Sequence, residues 1–437
     1  MRLATLYQRN WLLIRLPIGL LAAALATWLW GTLYPMPPTQ LSITTGGAEG
    51  AYHGHARRYA DMFAAHGVTL NIQTSAGSQQ NLDRLRQDDA PSDLAFVQGG
   101  FGYLGTSTDY ANSSRVQTLV NVDVEPLWLF TRLPHLDTLT QLQGLRVAIG
   151  PEGSGSRRVA LKLLEQARMD PIDLTLSPLT GNLAAQALAQ GNVDVILLVA
   201  APQAESVQNM IRLPGVRPVG LRLSAAITER NPYLEARLLP RSAMGQGLPA
   251  RDLTLLTTSA SLVAREGLHP ALKRLAVAVA MQSHGGSGVF HRAGEFPSLR
   301  QIDFPTAPQG RNMLAHGLST LEQRLPFWWA QLAERLLLIV LPVTLLALWL
   351  MVLVPCYLRW VLKSRVNRWY GELKFIENDL QQEALPGLDL TRFLLRLNGI
   401  EKALAAFRCP NELMPQCYTL HQHIDFVRRR LYGLRGR

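Results

Sequence analysis

The stretch LSITTGGAEGAYHGHARRYADMF, residues 41–63, begins as an alternating apolar and polar run, breaks at Gly46-Gly47, and continues with apolar residues at helical spacing. Alternation of period two marks a half-buried strand and a period near 3.6 marks a helix. The stretch therefore reads as a strand, a glycine turn, and a helix from about Tyr52 to Ala65. A glycine at such a joint lets the backbone approach a ligand, and the first N–H groups of the helix have no partner within it. On this reading a side chain at Gly47 would block the approach or force an unfavourable backbone angle.

Two further joints have the same design: Ala76-Gly77-Ser78 after VTLNIQT (residues 68–74), and Gly153-Ser154-Gly155-Ser156 after LRVAIG (residues 145–150). Helix starts carry a partial positive charge, so several of them aimed into one cleft would hold an anion without a basic surface. Each joint alone is also an ordinary connection in an α/β protein. Apolar runs at SDLAFVQ (residues 92–98) and NVDVILLVA (residues 192–200) extend the strand and helix alternation, which predicts two α/β sections in tandem. EPLWLFTR (residues 125–132) and RDLTLLTTSASLVAR (residues 251–265) read as extended segments that pass between two lobes and leave a cleft.

The net charge of +11 on 437 residues would ordinarily suggest a nucleic-acid partner, but its distribution argues otherwise. Residues 1–15 carry +3 and residues 359–437 carry +6, which leaves only +2 on residues 39–325. Two uncharged apolar runs, residues 16–34 and 336–358, explain this pattern. Each is long enough to cross a hydrocarbon core of about 30 Å at roughly 1.5 Å per residue. Trp11, Trp28, Trp30 and Tyr34 border the first run, and Phe327, Trp328, Trp329, Tyr357 and Trp360 border the second, as expected of interfacial belts. Arg2, Arg9 and Arg15 precede the first run, while Arg359, Lys363, Arg365 and Arg368 follow the second, which predicts that both termini are cytoplasmic. A cleaved signal peptide at Ala24-Leu25-Ala26 is the alternative for the first run, although the apolar run continues past that site.

GPEGSGSR (residues 150–157) has the outer glycines of a phosphate-binding loop, but Ser156 stands where the lysine belongs, so nucleotide hydrolysis is rejected. His53 and His55 are two apart on a helix and point in different directions, which makes a poor metal site. His284 and His291 flank GGSGVF, where packing or a turn is expected, and Arg157 and Arg158 are expected to face solvent. Cys356, Cys409 and Cys417 all lie at or beyond the end of the second apolar run, so no disulfide framework is expected in residues 39–325. Cys409 and Cys417 with His421 and His423 do not match common zinc spacings and are expected as ordinary residues of a helical tail. No nucleophile, base and orienting group assemble from local motifs, so no enzyme, metal or cofactor is expected. Nucleic acid is not expected as a partner, since the basic run at 428–430 is short.

In order along the chain, TTGGAEGAY, TSAGSQQNLDRL, DLAFVQGG, AIGPEGSGSRRVALKLLEQA, HGGSGVFHRAGEFPS and PFWW resemble the TAXI family, the solute-receptor subunits associated with TRAP-type secondary transporters. The tail RWYGEL...LHQHIDFVRRRL is similar to that of its membrane-anchored branch, so the resemblance covers about residues 41–431. It implies a type II periplasmic-binding-protein-like bilobal fold that closes on a small solute, a carboxylate or an amino acid such as glutamate. The expected organisation is a cytoplasmic segment 1–15, a span at 16–34, a periplasmic binding domain at 39–325, a span at 336–358 and a cytoplasmic helical tail at 359–437. Lobe one would comprise about 39–128 and 251–325, and lobe two about 129–250.

The joints that match the family supply the candidate ligand-binding residues: Thr45, Gly46, Gly47, Tyr52, Ser78, Asn81 and Gln98 from lobe one, with Ser154, Gly155 and Ser156 from lobe two. For any one of the polar residues, helix capping or turn formation competes with ligand contact. The expected function is a membrane-tethered periplasmic receptor for a small anionic solute serving a TRAP-type permease in a bacterial inner membrane. Soluble members of the family diffuse or hang from one anchor, whereas this chain is expected to be fixed at both ends. The alternative is therefore a ligand-sensing signalling or scaffold protein that relays lobe closure to its tail.

Overall fold

The computed structural model describes residues 11–87, 89, 91–104, 115–170, 174–382, 390–407, 409 and 411–435. Arg2 and Arg9, which contribute to the first basic flank, lie outside the described residues. Two compact units divide the chain: Met36–Gln331, and Met1–Pro35 together with Leu332–Arg437.

The first unit is built on ten strands: β1 (Gln40–Thr44), β2 (Thr69–Gln73), β3 (Leu94–Gln98), β4 (Val116–Thr131), β5 (Arg146–Ala148), β6 (Thr175–Ser177), β7 (Val195–Val199), β8 (Arg217–Pro218), β9 (Glu235–Leu239) and β10 (Leu253–Arg265). Their order is β2-β1-β3-β10-β4-β7-β5-β6, with β8 on β4 and β9 on β10. Parallel pairs lie at the two ends, β1 with β2 and β3, and β5 with β6 and β7. The middle is antiparallel and belongs to the two long strands. The first part of β4 pairs with β10, and its end, Leu127 to Thr131, pairs with β7. In β10, Ala260 to Ala264 pair with β3 while Leu253 to Thr257 pair with β9. Both long strands are almost wholly buried, although polar residues such as Asn121, Asp123, Glu125, Thr257 and Ser261 stand among their apolar ones.

Helices connect the parallel strands, as crossovers require. The ones that matter below are α1 (Ala51–Ala65), α2 (Ser78–Arg86), α3 (Gly155–Gln166), α4 (Gly181–Ala189) and α5 (Pro270–His284). Tyr59 and Phe63 of α1, Phe96 of β3 and Leu272 of α5 share one core, whereas Val159 and Leu163 of α3 pack with Val147 and Val195 in another. A third contains Trp128, Phe130 and Leu188.

The second unit contains the helix Leu16–Leu33 and three C-terminal helices, α6 (Leu341–Gln382), α7 (Leu390–Ala406) and α8 (Met414–Arg435). Two helices, Leu13–Leu33 and Phe327–Gln381, are long and apolar enough to cross a membrane. Their outward faces are apolar: Leu20, Leu21, Trp28, Leu345, Trp349 and Val352 are all exposed. That surface would be unfavourable in water and suits a hydrocarbon surrounding. Arg335 is buried and donates from Nε to Tyr34 O at 3.0 Å and from Nη2 to Pro35 O at 2.7 Å, satisfying carbonyls just beyond the first helix.

The tail has its own core, with Leu373, Ile376 and Leu380 of α6 against Leu397, Ile400 and Leu404 of α7 and Leu420, Ile424 and Val427 of α8. Spacings of three and four residues put each set on one helix face. Cys417 belongs to that core and Cys409 packs against it, and the two, expected as ordinary residues of a helical tail, are joined in a disulfide. Sequence spacing carried no signal for the pairing, because the loop that brings the two sulfurs together is set by how α7 and α8 pack.

Candidate ligand-binding site

A cleft of about 440 Å³ opens where helix starts from both ends of the sheet meet. Gly46, Gly47 and Tyr52 come from the β1–α1 joint, Ser78 from the start of α2, and Gln98 from the end of β3; Ser154, Gly155 and Ser156 come from the start of α3. The structure thus brings eight of the ten sequence-derived candidates to one cavity. Thr45 and Asn81 do not line it. Thr45 is fully buried, with its N–H and Oγ1 both turned to Gln73 O at 3.0 and 3.1 Å. Asn81 Oδ1 accepts from Thr44 Oγ1 at 2.9 Å and from Ser75 Oγ at 2.6 Å, and its Nδ2 donates to Thr45 O and to Phe96 O at 2.8 Å. An amide has two donors and one two-fold acceptor, so Asn81 is saturated inside the protein and acts as a brace between joints.

The serines are also engaged. Ser78 Oγ accepts from Gln98 N at 3.0 Å, Ser154 caps α3 by accepting from Arg157 N at 3.2 Å, and Ser156 Oγ accepts from Val199 N at 3.0 Å. These hydroxyls fix the turns that shape the cleft. What faces the cavity unpaired is mostly backbone: among the described residues, the N–H groups of Ala51, Tyr52, Gly155 and Ser156 make no hydrogen bond. The buried Gln98 Nε2 also has no partner among the described residues.

The glycines divide by role. Gly46 and Gly47 have no positive φ, and a Cβ at either would meet nothing within 4 Å, so the backbone strain expected at Gly47 is absent. The constraint lies at the other joints. Gly77 has φ of +136° and its Cβ would sit 3.0 Å from Ser154 Cα, while a Cβ on Gly155 would fall 2.5 Å from Gln98 Oε1. The starts of α2 and α3 therefore touch: Gln79 N donates to Gly153 O at 3.1 Å. Arg158, expected to face solvent, instead bonds Gln79 Oε1 and lies 4.7 Å above the Phe101 ring. Arg157, expected to face solvent as well, is half-buried and donates to Gly150 O at 3.3 Å.

Two residues that sequence reasoning passed over complete the cleft. Glu125, on β4, is buried and lines the cavity; Tyr52 Oη donates to its Oε2 at 2.6 Å. Burial pushes the Glu125 carboxyl up to about 8, against the lowering effect of the Tyr52 hydrogen bond and with a further push from Asp123. Glu49 reaches the start of α4, where its Oε2 accepts from Asn182 N at 3.3 Å. Among the described lining residues there is no lysine, arginine or histidine.

Next to this cleft lies a polar cavity of about 310 Å³ lined by His55, Arg58, Asp123, Gln203, His284 and His291. Burial, the neighbouring His284 and Arg58 bring His55 down to about 3, and burial brings His284 down to about 4, so both rings are neutral packing groups. His291 Nε2 lies 3.3 Å from Asp123 Oδ1, and that hydrogen bond raises the imidazole. Among the described residues no group of three or more His, Cys, Asp or Glu side chains is arranged to hold a metal ion.

Two sheet ends joined by two long shared strands, with helix starts converging on a cleft, make this an α/β domain of the periplasmic-binding-protein type, the architecture of solute-binding proteins. The chain belongs to the NMT1-like family, whose profile matches residues 43–272. No curated protein matches it. Solved structures similar to it include the alkanesulfonate-binding protein SsuA from Xanthomonas axonopodis pv. citri bound to MOPS, at 15% identity over 57% of this chain and 74% of that one, with a TM-score of 0.33. The periplasmic aliphatic sulphonate binding protein SsuA from Escherichia coli is 18% identical over 57% and 69%, with a TM-score of 0.33. The BenM effector binding domain with its effector benzoate is 13% identical over 56% and 92%, with a TM-score of 0.36.

Proposed function

We propose that the chain is a membrane-tethered receptor for a small anionic solute, a carboxylate or an amino acid, and that it serves a TRAP-type secondary transporter of the kind TAXI receptors accompany. Residues 39–325 lie in the periplasm and both termini in the cytoplasm. Lobe one, about 39–128 and 251–325, and lobe two, about 129–250, close on the solute about β4 and β10. No catalytic role is assigned to any residue.

The observation that carries this reading is the cleft itself: unpaired helix-start N–H groups at Ala51, Tyr52, Gly155 and Ser156, joined by Gln98 Nε2, with no basic side chain among the described lining residues. Such donors hold an oxyanion through hydrogen bonds and the helix dipoles. The orientation is supported by the basic flanks at Arg15 and at Arg359, Lys363, Arg365 and Arg368. The test is to purify the full chain in detergent and identify the small molecule it carries by mass spectrometry, then to measure its affinity by calorimetry. A protein that carries no small molecule and binds none of a broad set of carboxylates and amino acids would defeat the reading.

One observation favours a second reading. Helix α6 runs from the apolar segment, through Pro355, into the helical tail, so a change at the span would reach α7 and α8 along one helix. A ligand-sensing role would show as a cytoplasmic partner that binds the tail only when solute is present.

A further inference from the structure

The cleft holds two carboxyl side chains among its described lining residues, Glu49 and Glu125, beside the Tyr52 phenol. A cavity that offers helix-start donors to an anion while presenting two carboxylates would work against itself unless one of them is neutral. Glu49 is exposed and already spends an oxygen on the start of α4. Glu125 is different: it is buried, and among the described residues no cation pairs with it and it receives one hydrogen bond, from Tyr52 Oη to Oε2. Its other oxygen, Oε1, has no partner among the described residues, and the side chain lines the cavity. Asp123 lies two residues away on the same strand face and is held ionised by His291 and Gln203. With an ionised neighbour and a donor already on Oε2, the place for a proton is Oε1, pointing its O–H at the solute.

We propose that Glu125 is the specificity-determining residue of this cleft, a carboxylic acid whose Oε1–H donates to a carboxylate oxygen of the solute and so ties solute binding to a proton. This rests on the solute-binding reading and narrows it. The groups that face Glu125 are Tyr52 on α1, Asp123 on its own strand with the attached His291, and Thr258, its non-titrating partner on β10. The raised carboxyl places the proton's loss near pH 8. Below that pH the donor is in place and an anion binds without proton exchange. Above it, each anion bound takes up one proton from solvent onto Glu125, and affinity falls about tenfold per pH unit.

The experiment titrates the full chain in detergent with acetate, succinate, benzoate, methanesulfonate and putrescine, by calorimetry, from about pH 6.5 to 9.5. At least one of the carboxylates should bind with a flat affinity up to about pH 8 and a fall of about tenfold per unit beyond it. At the alkaline end the binding heat should depend on the ionisation heat of the buffer. Glu125→Gln keeps a neutral donor in the same place; it should bind about tenfold more weakly near neutral pH and show no alkaline fall. Glu125→Leu should abolish binding.

A carboxylate affinity in the parent that stays flat through pH 9.5 would overturn the proposal without touching the solute-binding reading. So would methanesulfonate binding with no carboxylate, or putrescine binding that tightens with pH, since the last makes Glu125 a counter-ion. If none of the five compounds binds the parent, this inference falls, and the broader reading falls with it only if no solute co-purifies either.

Discussion

Asn81→Asp tests the claim that Asn81 braces the cleft rather than binding solute. The substitution keeps the shape and Oδ1, which accepts from Thr44 and Ser75, but replaces the Nδ2 donor with an oxygen facing Thr45 O and Phe96 O. Two hydrogen bonds worth about 1 kcal/mol each are lost, and two carbonyls face an acceptor. The site is fully buried, so an ionised carboxylate there adds the cost of an uncompensated charge. Together these give a loss of about 3–5 kcal/mol at neutral pH, or roughly 6–20 °C in Tm for a domain of this size.

The pH dependence supplies the signature. The folded-state carboxyl of the variant is raised above its unfolded value of about 3.9, so the deficit grows as pH rises between the two values and shrinks as pH falls. Thermal unfolding of parent and variant followed by circular dichroism between about pH 4.5 and 7.5 measures both parts. A loss below about 1 kcal/mol, or one that does not shrink in acid, would refute the bracing argument.

Gly155→Ala should leave the unfolding free energy within about 1 kcal/mol of the parent, since alanine favours the helix by roughly the amount that crowding costs. Its Cβ would nevertheless strike Gln98 Oε1, so solute affinity in calorimetry should fall about tenfold or more as closure is obstructed. Because the folded carboxyl of Glu125 is raised to about 8, the parent should lose stability as pH rises from about 4.5 to 8. Glu125→Gln should remove that slope and be more stable by about 2–4 kcal/mol at pH 8, read from denaturant unfolding across the range. Arg158→Ala removes the bridge to Gln79 and Phe101, and small-angle scattering of the full chain should show a larger fraction of open lobes. For topology, a cysteine introduced at the exposed Glu229 should react with an impermeant thiol reagent in intact spheroplasts, and one at the exposed Lys402 only after permeabilisation.

Local signals were legible in the chain. Two apolar runs bordered by aromatics and arginines needed only length and composition to be read as membrane-length helices, because every backbone group of such a helix is satisfied within it. The alternation of strands and helices was equally local, and β1, α1, β2, α2, β3 and α3 stand where periodicity put them, because each buries one face of its own pattern. The three glycine and serine joints were visible for the same reason. What they do together was not. Whether Ser154 caps a helix or meets a solute, and whether Asn81 lines a cleft or holds Thr44, Ser75, Thr45 and Phe96 together, depends on partners the fold brings close.

Glu125 shows the limit most clearly. In sequence it is the second of two acids, after Asp123, in a mostly apolar stretch, and nothing there tells which of them is the neutral one. Its partner Tyr52 is 73 residues away, and its cavity is assembled from seven separate segments of chain. The register of β4 against β10 and the packing of α1 over the sheet place that carboxyl away from water. Hydropathy and spacing record what a residue prefers, whereas a pKa, a saturated amide or the contact of Arg158 with Phe101 records who its neighbours are. Those neighbours are chosen by the tertiary fold alone, since only packing brings distant residues within hydrogen-bonding reach and removes the solvent between them.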